Sequence, residues 1–303
     1  MLFASACKEK GNDDRPAAVP AIPAVHDASP TTANKPSAED FAAGLAAGCE
    51  KGDVEACRNV ALLYAEGAGV KRDEIKARKM LEDACAGTSV AACTNLGLFL
   101  ANGYGGEIDA KGAREAWEKA CKGEHWLGCR NLGLVYRDGR GVKADGKLAE
   151  GYFSKACDGE LAYACNNLGA MLRVGKLIKA DPARATKLFA KACDLGDAAG
   201  CRNVGVLYAE GAGGLPKGMP AAAVWLKRAC DGGDAIGCRA RGMMLLEGQG
   251  VAKDELAARK VLSKACGLKD MVACEVMVRK GWATRSEKPL TPEEKKQVEE
   301  MKR

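Results

Sequence analysis

From Val54 onward the apolar and small residues fall into short stripes at helical spacing, separated by polar loops that carry Gly and Asp. In one stripe Cys129, Leu132, Gly133 and Tyr136 stand at offsets 0, 3, 4 and 7, which form one face of a helix of period 3.6. Gly67, Gly103, Gly139, Gly175, Gly211 and Gly248 each follow a cysteine by 10 residues, where a helix stops most easily on a residue that tolerates positive φ. Asp73, Asp109, Asp145, Asp181 and Asp254 come next, at positions suited to N-caps. Their carboxylates can accept from the first unpaired amides of a following helix. In that second helix Trp117, Phe153, Phe189, Trp225 and Leu262 are read as one apolar column. The alternating Tyr64, Tyr136, Tyr208 and Leu100, Leu172, Leu245 of the first helix are assigned to the core. The pattern predicts pairs of antiparallel helices of about three to four turns, with no strand between them.

The pattern repeats, and cysteine marks its period. Cys49/Cys57, Cys85/Cys93, Cys121/Cys129, Cys157/Cys165, Cys193/Cys201, Cys230/Cys238 and Cys266/Cys274 are each separated by 8 residues. Successive pairs step by 36, except for a step of 37 after Cys193, where Gly213-Gly214-Leu215-Pro216 accommodates an extra loop residue. A helix pair of this length cannot bury both apolar faces alone, so the units must stack. The fold class predicted is all-α: a right-handed superhelical solenoid of antiparallel helix pairs. Ala84, Ala120, Ala156, Ala192, Ala229 and Ala265, with Gly97, Gly133, Gly169, Gly205 and Gly242, allow the close approach that stacking needs.

Four segments are expected. Residues 1–7 resemble the end of a lipoprotein signal, and residues 8–37, with Pro16, Pro20, Pro23, Pro30 and Pro36, read as a disordered tether. Residues 38–281 carry six full units, from about Val54 to Cys266, plus a leading helix from Ala38 to Lys51 capped by Ser37 and a trailing helix from Met271 to Gly281. Residues 282–303 form a charged capping helix that Thr291 and Pro292 open, with Trp282 placed to cover the end of the last repeat helix.

Composition narrows the chemistry. Of the 303 residues 47% are apolar and only 5% aromatic, the formal charge is +6, and two histidines, His26 and His125, lie far apart. A dispersed charge of this size does not point to nucleic acid, and imidazole-based metal catalysis has too few ligands. No metal and no cofactor is expected. The remaining oddity is 15 cysteines, fourteen in pairs and Cys7 alone. Each pair straddles a short turn between two helices, which can bring the Cα atoms within disulfide range. Each bridge would contribute about 2–3 kcal/mol through the loop entropy it removes. Zinc or iron–sulfur ligation is disfavoured, since no Cys-x-x-Cys occurs and no imidazole lies nearby; a redox-active or haem-contacting role is the other alternative. Local bridges imply an oxidising compartment. Leu2-Phe3-Ala4-Ser5-Ala6-Cys7 looks like a bacterial lipobox, although no basic region precedes it and its apolar run is short. The expected location is therefore the periplasm, lipid-anchored through Cys7, or otherwise secretion.

Residues 191–211, Lys-Ala-Cys-Asp-Leu-Gly-Asp-Ala-Ala-Gly-Cys-Arg-Asn-Val-Gly-Val-Leu-Tyr-Ala-Glu-Gly, carry a resemblance. The unit resembles the Sel-one-like repeat class of tetratricopeptide-like solenoids, and its cysteine pairs make it most similar to the Helicobacter cysteine-rich proteins. That resemblance covers about residues 38–280 and implies an exported solenoid bridged within each hairpin. It also implies two alternatives to a plain scaffold: penicillin binding or weak β-lactamase activity, and envelope or respiratory-complex assembly. The sequence departs from the unit at Ala61 in place of Gly, at Ala240 in place of Asn, and in a last unit without the Gly-rich loop. A serine β-lactamase needs Ser-x-x-Lys, and the one instance, Ser5-Ala6-Cys7-Lys8, falls in the lipobox. No catalytic residue is assigned.

Binding has more candidates. Asn59, Asn95, Asn131, Asn167 and Asn203 follow the second cysteine of a pair by two residues, and Arg58, Arg130, Arg202 and Arg239 by one. If first helices line a concave face, these columns make a ladder that can clamp a peptide backbone through amides and pair with its carboxylates. The alternative for both columns is structural: Asn bonded to the preceding turn and Arg solvated. His125 and Trp126 are read as surface packing in a turn. The expected function is a non-catalytic exported scaffold for a peptide or protein partner, touching the membrane only through its anchor.

Overall fold

Fourteen helices, and no strand, form over residues 37–283, the part of the chain that the computed structural model describes. The lipobox with Cys7, the Pro-rich tether, the Ser5-x-x-Lys8 motif and the segment opened by Thr291 lie outside these residues. The described chain divides into two units, 37–159 and 160–283. The first holds α1 (Ala38–Glu50), α2 (Val54–Glu66), α3 (Glu74–Ala86), α4 (Val90–Asn102), α5 (Ala110–Lys122), α6 (Trp126–Asp138) and α7 (Gly146–Asp158). The second holds α8 (Ala162–Val174), α9 (Pro182–Asp194), α10 (Ala198–Glu210), α11 (Met219–Asp231), α12 (Ala235–Glu247), α13 (Glu255–Gly267) and α14 (Met271–Arg279).

The caps form as the residue types require. Asp73, Asp109, Asp145, Asp181 and Asp254 each accept a backbone N–H of their helix's first turn. Gly67, Gly103, Gly139, Gly175, Gly211 and Gly248 end the first helices in the left-handed region, at φ between 68° and 74°. The trailing helix α14 is shorter than expected, ending at Arg279 with Lys280 as its cap.

Within a pair, glycine lets the second helix press a large side chain against the backbone of the first. A Cβ on Gly133 would lie 2.5 Å from the Phe153 ring, one on Gly169 2.8 Å from Phe189, and one on Gly242 2.6 Å from Leu262. Trp117 fills the same place over Gly97 and donates its indole N–H to the Thr94 carbonyl at 3.1 Å. The column assigned to Trp225 is a correction. Leu226, fully buried, faces Gly205 at 2.9 Å, whereas Trp225 is half-buried and stacks on the Arg228 guanidinium at 4.6 Å. The extra residue in the 213–216 loop shifts the register of α11 by one, so a step of 36 from Phe189 lands beside the column. The tyrosines also depart from expectation. Leu100, Leu172 and Leu245 are buried, but Tyr64, Tyr136 and Tyr208 are only half-buried. Tyr64 accepts from Lys76 Nζ at 2.7 Å through its hydroxyl, and Tyr136 stacks on Tyr152 with centroids 5.6 Å apart. Each ring lies flat along the surface with its polar edge in water.

Covalent and ionic links join one pair to the next. All fourteen paired cysteines are disulfide-bonded. Six bridges, Cys49–Cys57, Cys85–Cys93, Cys121–Cys129, Cys193–Cys201, Cys230–Cys238 and Cys266–Cys274, have Cα atoms 4.3–4.7 Å apart. Each closes the turn between a second helix and the first helix of the next pair, so the chain is cross-linked in series. Bridges of this number form and persist where thiols are oxidised, which makes the protein extracytoplasmic. A second tie comes from lysines two residues before a first cysteine. Lys119 Nζ donates to the carbonyls of Cys85, Ala86 and Gly87, Lys155 to that of Cys121 at 3.2 Å, and Lys264 to that of Cys230 at 2.6 Å. These carbonyls lie in the last turn of a helix, where they lack intrahelical partners and carry the negative end of its dipole.

Candidate partner-binding surface

The first helix of each pair carries the Asn and Arg columns, and their surroundings differ along the chain. In the unit 37–159, Asn95 and Asn131 are buried, at 4% and 5% exposure, while Asn59 and Arg58 are half-buried. Arg58 donates to Asn59 Oδ1 at 3.0 Å and lies 3.5 Å from the Glu55 carboxylate, which also accepts from Ser89 Oγ. Thr94 takes the arginine's place in the next helix. Its hydroxyl lies 2.7 Å from Nδ1 of His125, the N-cap residue of α6. Burial is the main cause that lowers the His125 pKa, with the Arg58 charge acting in the same direction and Glu55 against it. Arg130 is half-buried. His125 is thus an N-cap residue bonded to a neighbouring helix rather than a packing group in a turn.

In the unit 160–283 the same register produces ion pairs. Arg202 Nε lies 3.1 Å from Asp234, which caps α12, and Arg239 Nε lies 3.0 Å from Asp270, which caps α14. The residue after a second cysteine therefore meets the N-cap of the following first helix. Arg239 and Asp270 are almost fully buried, with side chains 5% and 6% exposed. Arg202 also attracts Asp197, the buried cap of α10. Burial dominates there and raises the Asp197 pKa, while the Ala199 amide and Arg202 pull it down.

Asn167 and Asn203 are half-buried. Asn203 Nδ2 donates to Asn166 Oδ1 at 2.8 Å, from α10 to α8. The bond leaves Asn166 Nδ2 as a donor and Asn203 Oδ1 as an acceptor without a partner among the described residues. Adjacent first helices thus share one polar strip, on which Asn166 and Asn203 come together and beside which Arg202 and Asp234 are paired. Asn166 was missed by sequence reasoning because it stands in the arginine column, one residue after Cys165. The lysine ladder was missed as well, although Lys119, Lys155 and Lys264 recur at a fixed offset from cysteine. Among the described residues no group of three or more His, Cys, Asp or Glu could hold a metal ion, and no helix is long and apolar enough to cross a membrane.

Comparison with known proteins gives the family. The Sel1 repeat model matches residues 54–89, 90–125, 126–160, 162–197, 198–234 and 235–270. Among solved structures, a Sel1 repeat protein from Oxalobacter formigenes has 26% identity and a TM-score of 0.70, over 80% of this chain and 70% of that one. A protective antigen of uropathogenic Escherichia coli that displays an SLR fold has 24% identity and a TM-score of 0.68, over 81% of this chain. This chain spans only 53% of the length of that antigen. Helicobacter pylori cysteine rich protein B is 31% identical over 43% of this chain and 92% of its own, with a TM-score of 0.36. No curated protein matches the chain. With six consecutive matches on the helix pairs described above, the chain belongs to the Sel1 repeat family.

Proposed function

We propose that the protein is a non-catalytic exported scaffold that binds an extended peptide, or a partner's extended segment, along the polar strip of its first helices. Sel1 repeat scaffolds commonly serve protein interaction, and the finer reading rests on one observation. The Asn203–Asn166 bond leaves one amide donor and one amide acceptor side by side on the half-exposed strip, a pairing complementary to the C=O and N–H of a peptide backbone. Within the strip Arg202 is held by Asp234, so its part is to fix the spacing of adjacent pairs and orient the strip. Arg239, buried against Asp270, has the same role. The proposal keeps Asn59, Asn167 and Asn203 as contact residues and gives Asn95 and Asn131, both buried, a supporting place beneath the strip. The compartment is read as the periplasm, with Cys7 as the lipid attachment; its support is the sequence from Leu2 to Cys7 and the lack of a repeat partner for that cysteine.

The test is selection of peptides from a random display library on the oxidised protein, followed by titration of a selected peptide against Asn166→Ala/Asn203→Ala. Binding is expected to weaken about tenfold or more, equivalent to roughly 1.4 kcal/mol, with the thermal midpoint little changed. Peptides whose binding ignores both substitutions would overturn the strip as the site. Turnover of nitrocefin by the purified protein would overturn the non-catalytic part.

A further inference from the structure

The last helix pair ends in a surface that no further pair covers. Leu256, Arg259, Lys260 and Ser263 of α13, with Met277 of α14 and Trp282, line a hollow of about 330 Å³. Leu256 is 79% exposed at its rim. The position seven residues before the first cysteine shows what has changed. In α11 it is Ala223, 1% exposed under the next pair, and in α13 it is the exposed Arg259. The chain itself turns at the edge of the hollow, where the Trp282 amide donates to the Met277 carbonyl at 2.9 Å. Twenty residues of sequence follow Ala283.

We propose that residues 290–301 of this same chain occupy the hollow as a helix and close the end of the array. Leu290, Glu294, Val298 and Met301 stand at offsets 0, 4, 8 and 11, one face of a helix that is apolar except for Glu294. Glu293 and Glu300 flank this face on one side. A face of apolar residues and carboxylates is complementary to a hollow that offers Leu256, Met277 and Trp282 within a rim of Arg259 and Lys260. The eight residues from Trp282 to Leu290 reach at most about 28 Å when extended, ample for a hollow that Trp282 itself lines. Tethering also gives this segment an effective concentration on the order of millimolar, which a second copy or a separate protein does not have. The proposal is independent of the peptide-binding strip.

Photo-crosslinking of the full chain tests it, with p-benzoylphenylalanine in place of Leu256 and mass spectrometry of the products. An intrachain product within residues 290–301 is expected, with a yield unchanged on hundredfold dilution and at least tenfold lower in Val298→Asp/Met301→Asp. Those two substitutions lie outside the repeats and leave the disulfide-bonded pairs intact. A product with a second copy, a product confined to residues 255–282, or an equal yield in the double variant would each overturn the proposal.

Discussion

At position 125 the chain uses histidine as a helix N-cap residue, where the first helices α2, α10, α12 and α14 use Asp. The ring bonds Thr94 across to α4, and burial together with Arg58 favours its neutral form. A histidine whose pKa is lowered on folding binds its proton more readily in the unfolded chain. Stability therefore falls as pH drops through the unfolded value of about 6.5 toward the folded one, and is fully present above 6.5. The slope of the unfolding midpoint between pH 7.5 and 5 should be smaller in His125→Asn than in the parent, because asparagine caps without titrating. Equal slopes would remove His125 from the pH response. The arginines teach a related lesson at this scale. Their recurrence after a cysteine is visible in the sequence, but the carboxylates that pair with Arg202 and Arg239 lie 32 and 31 residues further along, and only the stacking of one pair on the next brings them to contact.

At the scale of helices, the glycine of the first helix and the large residue of the second act as one unit. Gly133→Ala should cost about 1–3 kcal/mol by overpacking against Phe153, read from the urea midpoint. Adding Phe153→Leu should recover most of that loss, because the first repeat already places Ala61 and Leu81, both fully buried, in the same two columns. Losses that simply add in the double variant would show that the two positions do not share a contact. The helices, their N-caps and their glycine stops were all legible in the sequence, because each depends on residues within a turn or two of one another. The registration of α11 was not. The extra loop residue was visible, but whether it shifted the column to Leu226 depended on which side chain could lie over Gly205.

At the scale of the whole chain, the bridges couple successive helix pairs in series. Replacing Cys121 and Cys129 together by Ala should lower stability by about 2–3 kcal/mol, measured by denaturant unfolding of the otherwise oxidised protein. Full reduction should cost more than any one such pair, and an oxidised protein unaffected by loss of the Cys121–Cys129 bridge would count against its structural role. The sequence by itself determined the repeat length, the helix boundaries, the pairing of cysteines eight residues apart and the oxidising compartment, since these follow from local spacing and short-loop geometry. Tertiary structure alone decided which polar residues remain available. Packing buried Asn95, Asn131 and Arg239, paired Arg202 with Asp234, spent the lysines on helix ends, and left the Asn166–Asn203 amides at the surface. The reason is physical: a polar side chain's role depends on what lies within about 3 Å of it, and in a stacked array those neighbours belong to the next repeat.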